Sequence, residues 1–204
     1  MRRTMLICAT LAMAGIGASV AAVSVGEMAP PFSAVDARGK IVNLADFKGR
    51  HVVLEWVNPG CPFVVKHYGA GNMQATQKGA ADKGVVWLAV NSTAKGHSDY
   101  LSPEAMGTWM QGQKAVASAT LMDPDGKVGR VYGARTTPHL YVIDPAGKLV
   151  YAGAIDSKAS ANPADIASAT NHVKVALAET LAGKAVSVAS TRPYGCSVKY
   201  SSAL

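Results

Sequence analysis

Apolar residues gather into short runs bounded by turn signals. His51 to Val57 (His-Val-Val-Leu-Glu-Trp-Val) is rich in β-branched and aromatic residues and predicts a buried strand. Asn58-Pro59-Gly60 breaks it, and Cys61-Pro62 opens a segment whose pattern predicts helix to about Lys83. Val85 to Val90 is a second continuous apolar run, of the kind found inside a parallel sheet. Pro103 to Gln113 predicts a short helix with Ser102 as its N-cap, and Ser118 to Met122 a third strand. Asp123-Pro-Asp-Gly126 carries turn chemistry, followed by a helical turn through Val128, Val131 and Tyr132. Leu140 to Ile143 and Lys148 to Ala152, joined by Asp144-Pro-Ala-Gly147, predict a hairpin. Asn162-Pro163 opens a helix with Ile166, Val173, Leu177 and Leu181 as its apolar stripe, and Gly183 ends it. Ahead of these lie an extended lead-in, Gly26 to Phe32, and a short strand or helix entry at Val42-Asn43-Leu44. Strands alternating with helices, closed by an antiparallel hairpin, predict an α/β protein with a central mixed β-sheet flanked by helices.

The ends of the chain change this picture. Arg2 and Arg3 precede an apolar run from Met5 to Ala18, with small residues at Ala18, Ala21 and Ala22. That run is short for a spanning helix, so residues 1–22 read as a cleavable signal peptide and residues 23–204 as the domain. Periplasmic or secreted location follows, with no stable membrane insertion after cleavage. With the leader gone, the formal charge falls from +7 to +5, and Cys8 is lost, leaving Cys61 and Cys196. The positive charge is dispersed, without a basic run interleaved with aromatics, which argues against nucleic-acid binding. A tail from about Lys184 carries Cys196.

Cys61 is the chemically pointed residue. Pro62 suits the first position of a helix, which puts Cys61 near the N-cap, beside unpaired N–H groups and the positive end of the helix dipole. A thiolate there is stabilised, and helix N-termini can lower a thiol pKa to roughly 3.5–7.5. The thiolate is the form that attacks a disulfide sulfur or a peroxide oxygen.

Three segments carry a family resemblance. Trp56-Val-Asn-Pro-Gly-Cys61-Pro-Phe-Val-Val-Lys-His-Tyr68 lies at a strand-to-helix junction, Thr136-Thr-Pro-His-Leu-Tyr-Val-Ile-Asp144 opens the hairpin, and Gly147-Lys-Leu-Val-Tyr-Ala-Gly153 completes it. Together they resemble the thioredoxin-like superfamily, in its peroxiredoxin-like, redoxin-domain (alkyl hydroperoxide reductase/thiol-specific antioxidant) branch. The resemblance implies a thioredoxin-like fold, a redox-active Cys61, and a cis-proline at Pro138 that faces the cysteine and leaves backbone groups free for a substrate chain. It implies Trp56, Asn58, Pro62, Thr137 and His139 as substrate-binding or supporting residues, with His139 near enough to reach the thiol.

The chain also departs from the pattern. Thioredoxins use Cys-x-x-Cys, whereas Val64 stands at the second position here. Cys196 is the one other thiol after leader removal, so it is the candidate resolving cysteine. A Cys61–Cys196 bond would close more than a hundred residues, worth about 4–5 kcal/mol in the chain-entropy model, so a purely structural disulfide stays open. Relative to peroxiredoxins, Asn58 replaces the hydroxyl residue three positions before the cysteine, and the nearest arginine to the family's position is Arg135. Val64 and Val65 occupy the helical face of Cys61, which leaves Lys66 and His67 off it. The reading is thus a thiol-dependent oxidoreductase acting on a thiol or disulfide protein or a peroxide, with an unidentified reductant and neither cofactor nor metal. A hydroperoxide reductase and a non-catalytic module with a structural disulfide are the alternatives.

Overall fold

The computed structural model describes residues 22–202, so the candidate leader lies outside the described residues except for Ala22. Nine strands and five α-helices follow in the order β1 (Ser33–Asp36), β2 (Ile41–Asn43), β3 (Val52–Trp56), α1 (Pro62–Gly69), α2 (Asn72–Ala81), β4 (Val86–Asn91), α3 (Pro103–Gly112), β5 (Ala119–Met122), α4 (Lys127–Tyr132), β6 (Thr136–Thr137), β7 (His139–Ile143), β8 (Leu149–Gly153), α5 (His172–Leu181) and β9 (Cys196–Ser197). Seven strands form one mixed sheet, ordered β2-β1-β5-β4-β3-β7-β8, in which β3, β4 and β5 are parallel neighbours. β7 joins β3 antiparallel and carries β8 beyond it. The fold is the α/β, thioredoxin-like one that the apolar pattern and the resemblance predict.

β3 and β4 lie in the middle because both of their faces are apolar. Val52, Leu54 and Trp56 join Leu88, Val90, Leu121, Tyr132 and Tyr141 in one core layer. Val53 and Val57 join Cys61, Val64, Tyr68, Trp87, Met106 and Leu140 in the other, under α1, α2 and α5. The period of two along a strand assigns these residues to faces.

Two helices differ from expectation. The segment after Cys61 is two helices, because Gly71 adopts a left-handed backbone (φ 71°) between them. Gly71 N and the Gln74 side chain both donate to the Tyr68 carbonyl, at 3.1 and 2.9 Å. The single helix expected from Asn162 is also two pieces. Asn162 caps a 3-10 segment, Pro163–Ser168, and the chain extends at Ala169. Asn171 then caps α5 by accepting from Lys174 N at 2.9 Å. Two Asn caps within ten residues mark two starts, and Ile166 is not on the stripe of α5. The β1–β2 hairpin goes beyond the predicted elements; its turn is held by Asp36 Oδ1, which accepts from Arg38 N and Lys40 N.

Candidate active site

The β3–α1 junction presents Cys61 as the N-cap of α1, with extended backbone (φ −86°, ψ 120°) and Pro62 in the first turn. The preceding loop is tied by Asn58: Cys61 N donates to its carbonyl at 3.0 Å and Gly60 N to its Oδ1 at 2.9 Å. The Asn58 amide itself donates to Asp99 at 3.0 Å. Cys61 is 1% exposed. Across from it, the Thr137–Pro138 peptide is cis. As a neutral thiol, Cys61 donates to the Thr137 carbonyl at 2.9 Å.

The C-terminal tail covers this junction. β9 pairs antiparallel with β6, with Cys196 opposite Thr137. Gly195 permits this, since its backbone has φ 133° and a Cβ there would strike the Thr137 carbonyl. The pairing sets Cys196 opposite Thr137, whose carbonyl accepts from Cys61, and packs Cys196 against the core cluster that holds Cys61; both thiols are free. Burial pushes the Cys61 thiol up, but the polar neighbours Cys196, Thr137 and the Val64 amide outweigh it, so it titrates below the ordinary value. Burial, together with the charge and hydrogen bonding of Cys61, pushes Cys196 up to about 11. One sulfur is thus disposed to be the thiolate and its neighbour the protonated thiol.

Other expected residues fall elsewhere. Trp56 belongs to the opposite core layer, where it packs against Tyr132 and Tyr141 and donates to Ser92 Oγ at 3.0 Å. His139 pairs with Trp56 across β3 and β7 and stacks on Tyr141. Its Nδ1 meets Arg135 N at 3.3 Å and the Tyr141 hydroxyl at 3.1 Å, and burial pushes its pKa down to about 3. The strand alternation that turns Leu140 towards the Cys61 layer turns His139 away from it, so the expectation that His139 reaches the thiol is corrected. Arg135 and His139 line a separate cavity of about 550 Å³ behind the cis-proline loop. A second correction concerns that loop: its backbone is not free for a substrate chain, because β9 already pairs with it.

Two buried polar groups were beyond the sequence reading. Glu55, on the same face of β3 as Val53 and Val57, accepts from Tyr68 OH (2.9 Å), Gln77 Nε2 (3.0 Å) and Trp87 Nε1 (2.7 Å). Desolvation pushes its carboxyl up to about 7, against those three donors. The only signal for it was a lone acid inside an apolar strand. The second group joins Lys66 and His67 of α1 to Asp156, all buried, and to Tyr194 of the tail. Among the described residues no three His, Cys, Asp or Glu side chains are grouped to hold a metal ion, and no helix is long and apolar enough to cross a membrane.

The whole architecture has solved counterparts. A hypothetical protein from Sinorhizobium meliloti 1021 is 24% identical, with a TM-score of 0.75 over 90% of this chain and 98% of its own. An uncharacterized conserved protein from Geobacillus kaustophilus is 26% identical, with a TM-score of 0.72 over 89% and 94%. The thioredoxin domain of a thiol-disulfide oxidoreductase from Bacteroides vulgatus is 26% identical, with a TM-score of 0.51 over 64% and 89%. No curated protein matches. The AhpC/TSA family model matches residues 25–152, which takes in β3, the Cys61 junction, the cis-proline and nearly all of the hairpin. The chain belongs to the AhpC/TSA family, within the thioredoxin-like superfamily.

Proposed function

We propose that this protein is an exported thiol-dependent oxidoreductase in which Cys61 is the nucleophile and Cys196 the resolving thiol. The observation that carries the reading is the juxtaposition of two free thiols of opposite acidity, one at a helix N-terminus beside a cis-proline and the other on the C-terminal tail strand paired with that proline's loop. Cys61 thiolate attacks one sulfur of a substrate disulfide, forming a mixed disulfide and releasing the first substrate thiolate. Cys196 then attacks the Cys61 sulfur; its proton goes to the departing second thiolate, and a Cys61–Cys196 disulfide remains. Two electrons have passed to the substrate, and an external dithiol restores the pair.

Hydroperoxide reduction is the second reading, favoured by family membership. There Cys61 takes the distal peroxide oxygen to give a sulfenic acid and releases an alcohol. Cys196 condenses with the sulfenic acid and water leaves. The engagement of Asn58 by Asp99 and Gly60 favours the disulfide reading, because that amide is already committed. Export rests on residues 1–22 as a leader, and residues 23–204 are the mature domain in this reading.

The test is reaction of the reduced protein with glutathione disulfide and, separately, hydrogen peroxide, with mass mapping of the products. A Cys61–Cys196 disulfide is expected, with turnover abolished in Cys61→Ser. A wild-type protein that exchanges with neither oxidant, yet loses stability in Cys61→Ser, overturns the catalytic reading in favour of a structural pair.

A further inference from the structure

The tail is not draped loosely over the site. From Ser190 to Ser201 it is fastened on both sides of Cys196. At the start, Thr191 N donates to the Ala152 carbonyl, and its hydroxyl accepts from Ala154 N at 2.9 Å and contacts Tyr151 OH at 2.7 Å. Gly153 makes room, since any Cβ there would collide with Thr191. At the far end, Val198 N donates to the Arg135 carbonyl, and Ala94 N donates to the Lys199 carbonyl. Tyr200 donates to the Ala134 carbonyl at 2.9 Å and lies under the Arg130 guanidinium, 4.6 Å from the ring centre.

Between these anchors, Tyr194 forms a clasp two residues before Cys196. Its ring meets Phe63, in the first turn of α1, edge to face at 5.8 Å. Its hydroxyl donates to Asp156 Oδ1 and lies 3.2 Å from His67 Nε2. Asn72 donates to His67 Nδ1 at 2.8 Å, which leaves the proton on Nε2 and makes a directed chain from Asn72 through His67 and Tyr194 to Asp156. Asp156 Oδ2 is buried without a hydrogen-bond partner, 3.9 Å from Lys66 Nζ. Asp156 Oδ1 also accepts from Lys158 N at 2.9 Å, so Tyr194 supplies one of the two hydrogen bonds to this buried carboxylate, and freeing the tail removes it. The proposed chemistry at Cys61 uses none of these groups.

An extended polypeptide docks on a fold of this kind by adding a strand to exposed backbone groups, with side-chain pockets conferring choice. The available backbone beside Cys61 is Thr136–Thr137, and residues 196–197 already occupy it, with Cys196 opposite Thr137, whose carbonyl accepts from Cys61. We propose that the strap from Ser190 to Ser201 is a tethered pseudo-substrate, which restricts the reduced site to low-molecular-weight disulfides and excludes polypeptide disulfides, with Tyr194 as the positioning residue that keeps it seated. A small disulfide needs the Cys196 side chain to swing aside. A polypeptide needs the ladder and the clasp to open. The inference rests on Cys61 being the nucleophile.

The test uses the full mature chain carrying Cys196→Ser, so that a mixed disulfide at Cys61 accumulates. Its rate of formation is measured by quench and mass spectrometry with glutathione disulfide and with an unfolded polypeptide bearing a disulfide. Adduct formation with the polypeptide is expected to be at least about tenfold slower than with glutathione disulfide. Adding Tyr194→Phe, which keeps the ring on Phe63, is expected to raise the polypeptide rate about tenfold, the scale of one charge-assisted hydrogen bond, and to leave the glutathione rate within about threefold. Thr191→Val loosens the strap at its other end and is expected to act alike, so the test survives if one variant fails to fold. Comparable rates with both disulfides in the Cys196→Ser protein overturn the proposal, as does a polypeptide rate unmoved by both substitutions. No adduct with either disulfide overturns the nucleophile assignment itself, and the inference with it.

Discussion

At the scale of single residues, the site rests on two sulfurs with opposite tendencies. Site-resolved alkylation across pH is expected to give Cys61 a midpoint below the ordinary thiol value of 9.0 and Cys196 one near 11. Cys196→Ala removes the neighbour that lowers the Cys61 thiol and is expected to move the Cys61 midpoint upward; a midpoint that stays put would mean that Cys196 does not tune it. Glu55 offers a second test, of stability. Its folded carboxyl titrates at about 7, above the ordinary 4.5, so its contribution is greatest below pH 4.5 and is lost as pH rises to 7. At about 1.4 kcal/mol per pH unit, that loss is about 3 kcal/mol. His67 and His139, held down to about 4 and about 3 by burial, act in the opposite sense, with stability rising as pH climbs towards 6.5. The diagnostic quantity is therefore the difference between wild type and Glu55→Gln in denaturant melts. That difference is expected to decline by about 3 kcal/mol from pH 4.5 to 7, and a flat difference would reject the assignment.

At the scale of elements, local rules account for what was legible. Cys61-Pro62 at an N-cap, Ser102-Pro103 at another and Gly183 after a helix are signals contained in a few consecutive residues, and each stands where its rule puts it. Face assignment was harder. His139 follows Pro138 directly, and adjacency in sequence suggested adjacency to the thiol, but a strand turns neighbouring side chains to opposite faces. Two helix interruptions were missed for a related reason: apolar spacing continued across Gly71 and Asn171, whereas the backbone changed direction. The strap tests element packing directly. Gly153→Ala is expected to lift Thr191, and Gly195→Ala to disrupt β9, costing about 1 kcal/mol or more for the strained backbone. Hydrogen exchange at the Thr191 and Val198 amides should accelerate in the respective variants while the β3 amides stay protected. Acceleration confined to neither would mean that the strap is not held by these close approaches.

At the scale of the whole molecule, Cys61 and Cys196 lie in segments separated by more than a hundred residues. Cross-linking them restricts the unfolded chain far more than the folded one, because the β6–β9 pairing already sets Cys196 beside the Cys61 junction. The oxidised protein is expected to exceed the reduced one by about 4–5 kcal/mol in denaturant unfolding, within the chain-entropy model. Cys196→Ser should show no dependence on redox state, and a wild type that shows none either would refute pairing of these cysteines.

The alternation of the central strands with helices, the buried central strands, the turn at Asp144–Gly147 and a thiol at a helix start were determined by the sequence itself, because hydrophobic period and capping chemistry act over a few neighbouring residues. The tertiary structure alone decided that the Cys196 tail pairs with Thr136–Thr137, that Tyr194 meets Asp156 and His67, and that Trp56 and His139 face away from the thiol. Those outcomes depend on which distant surfaces close on one another and on where a buried carboxylate finds its donors, and no periodicity along the chain encodes either.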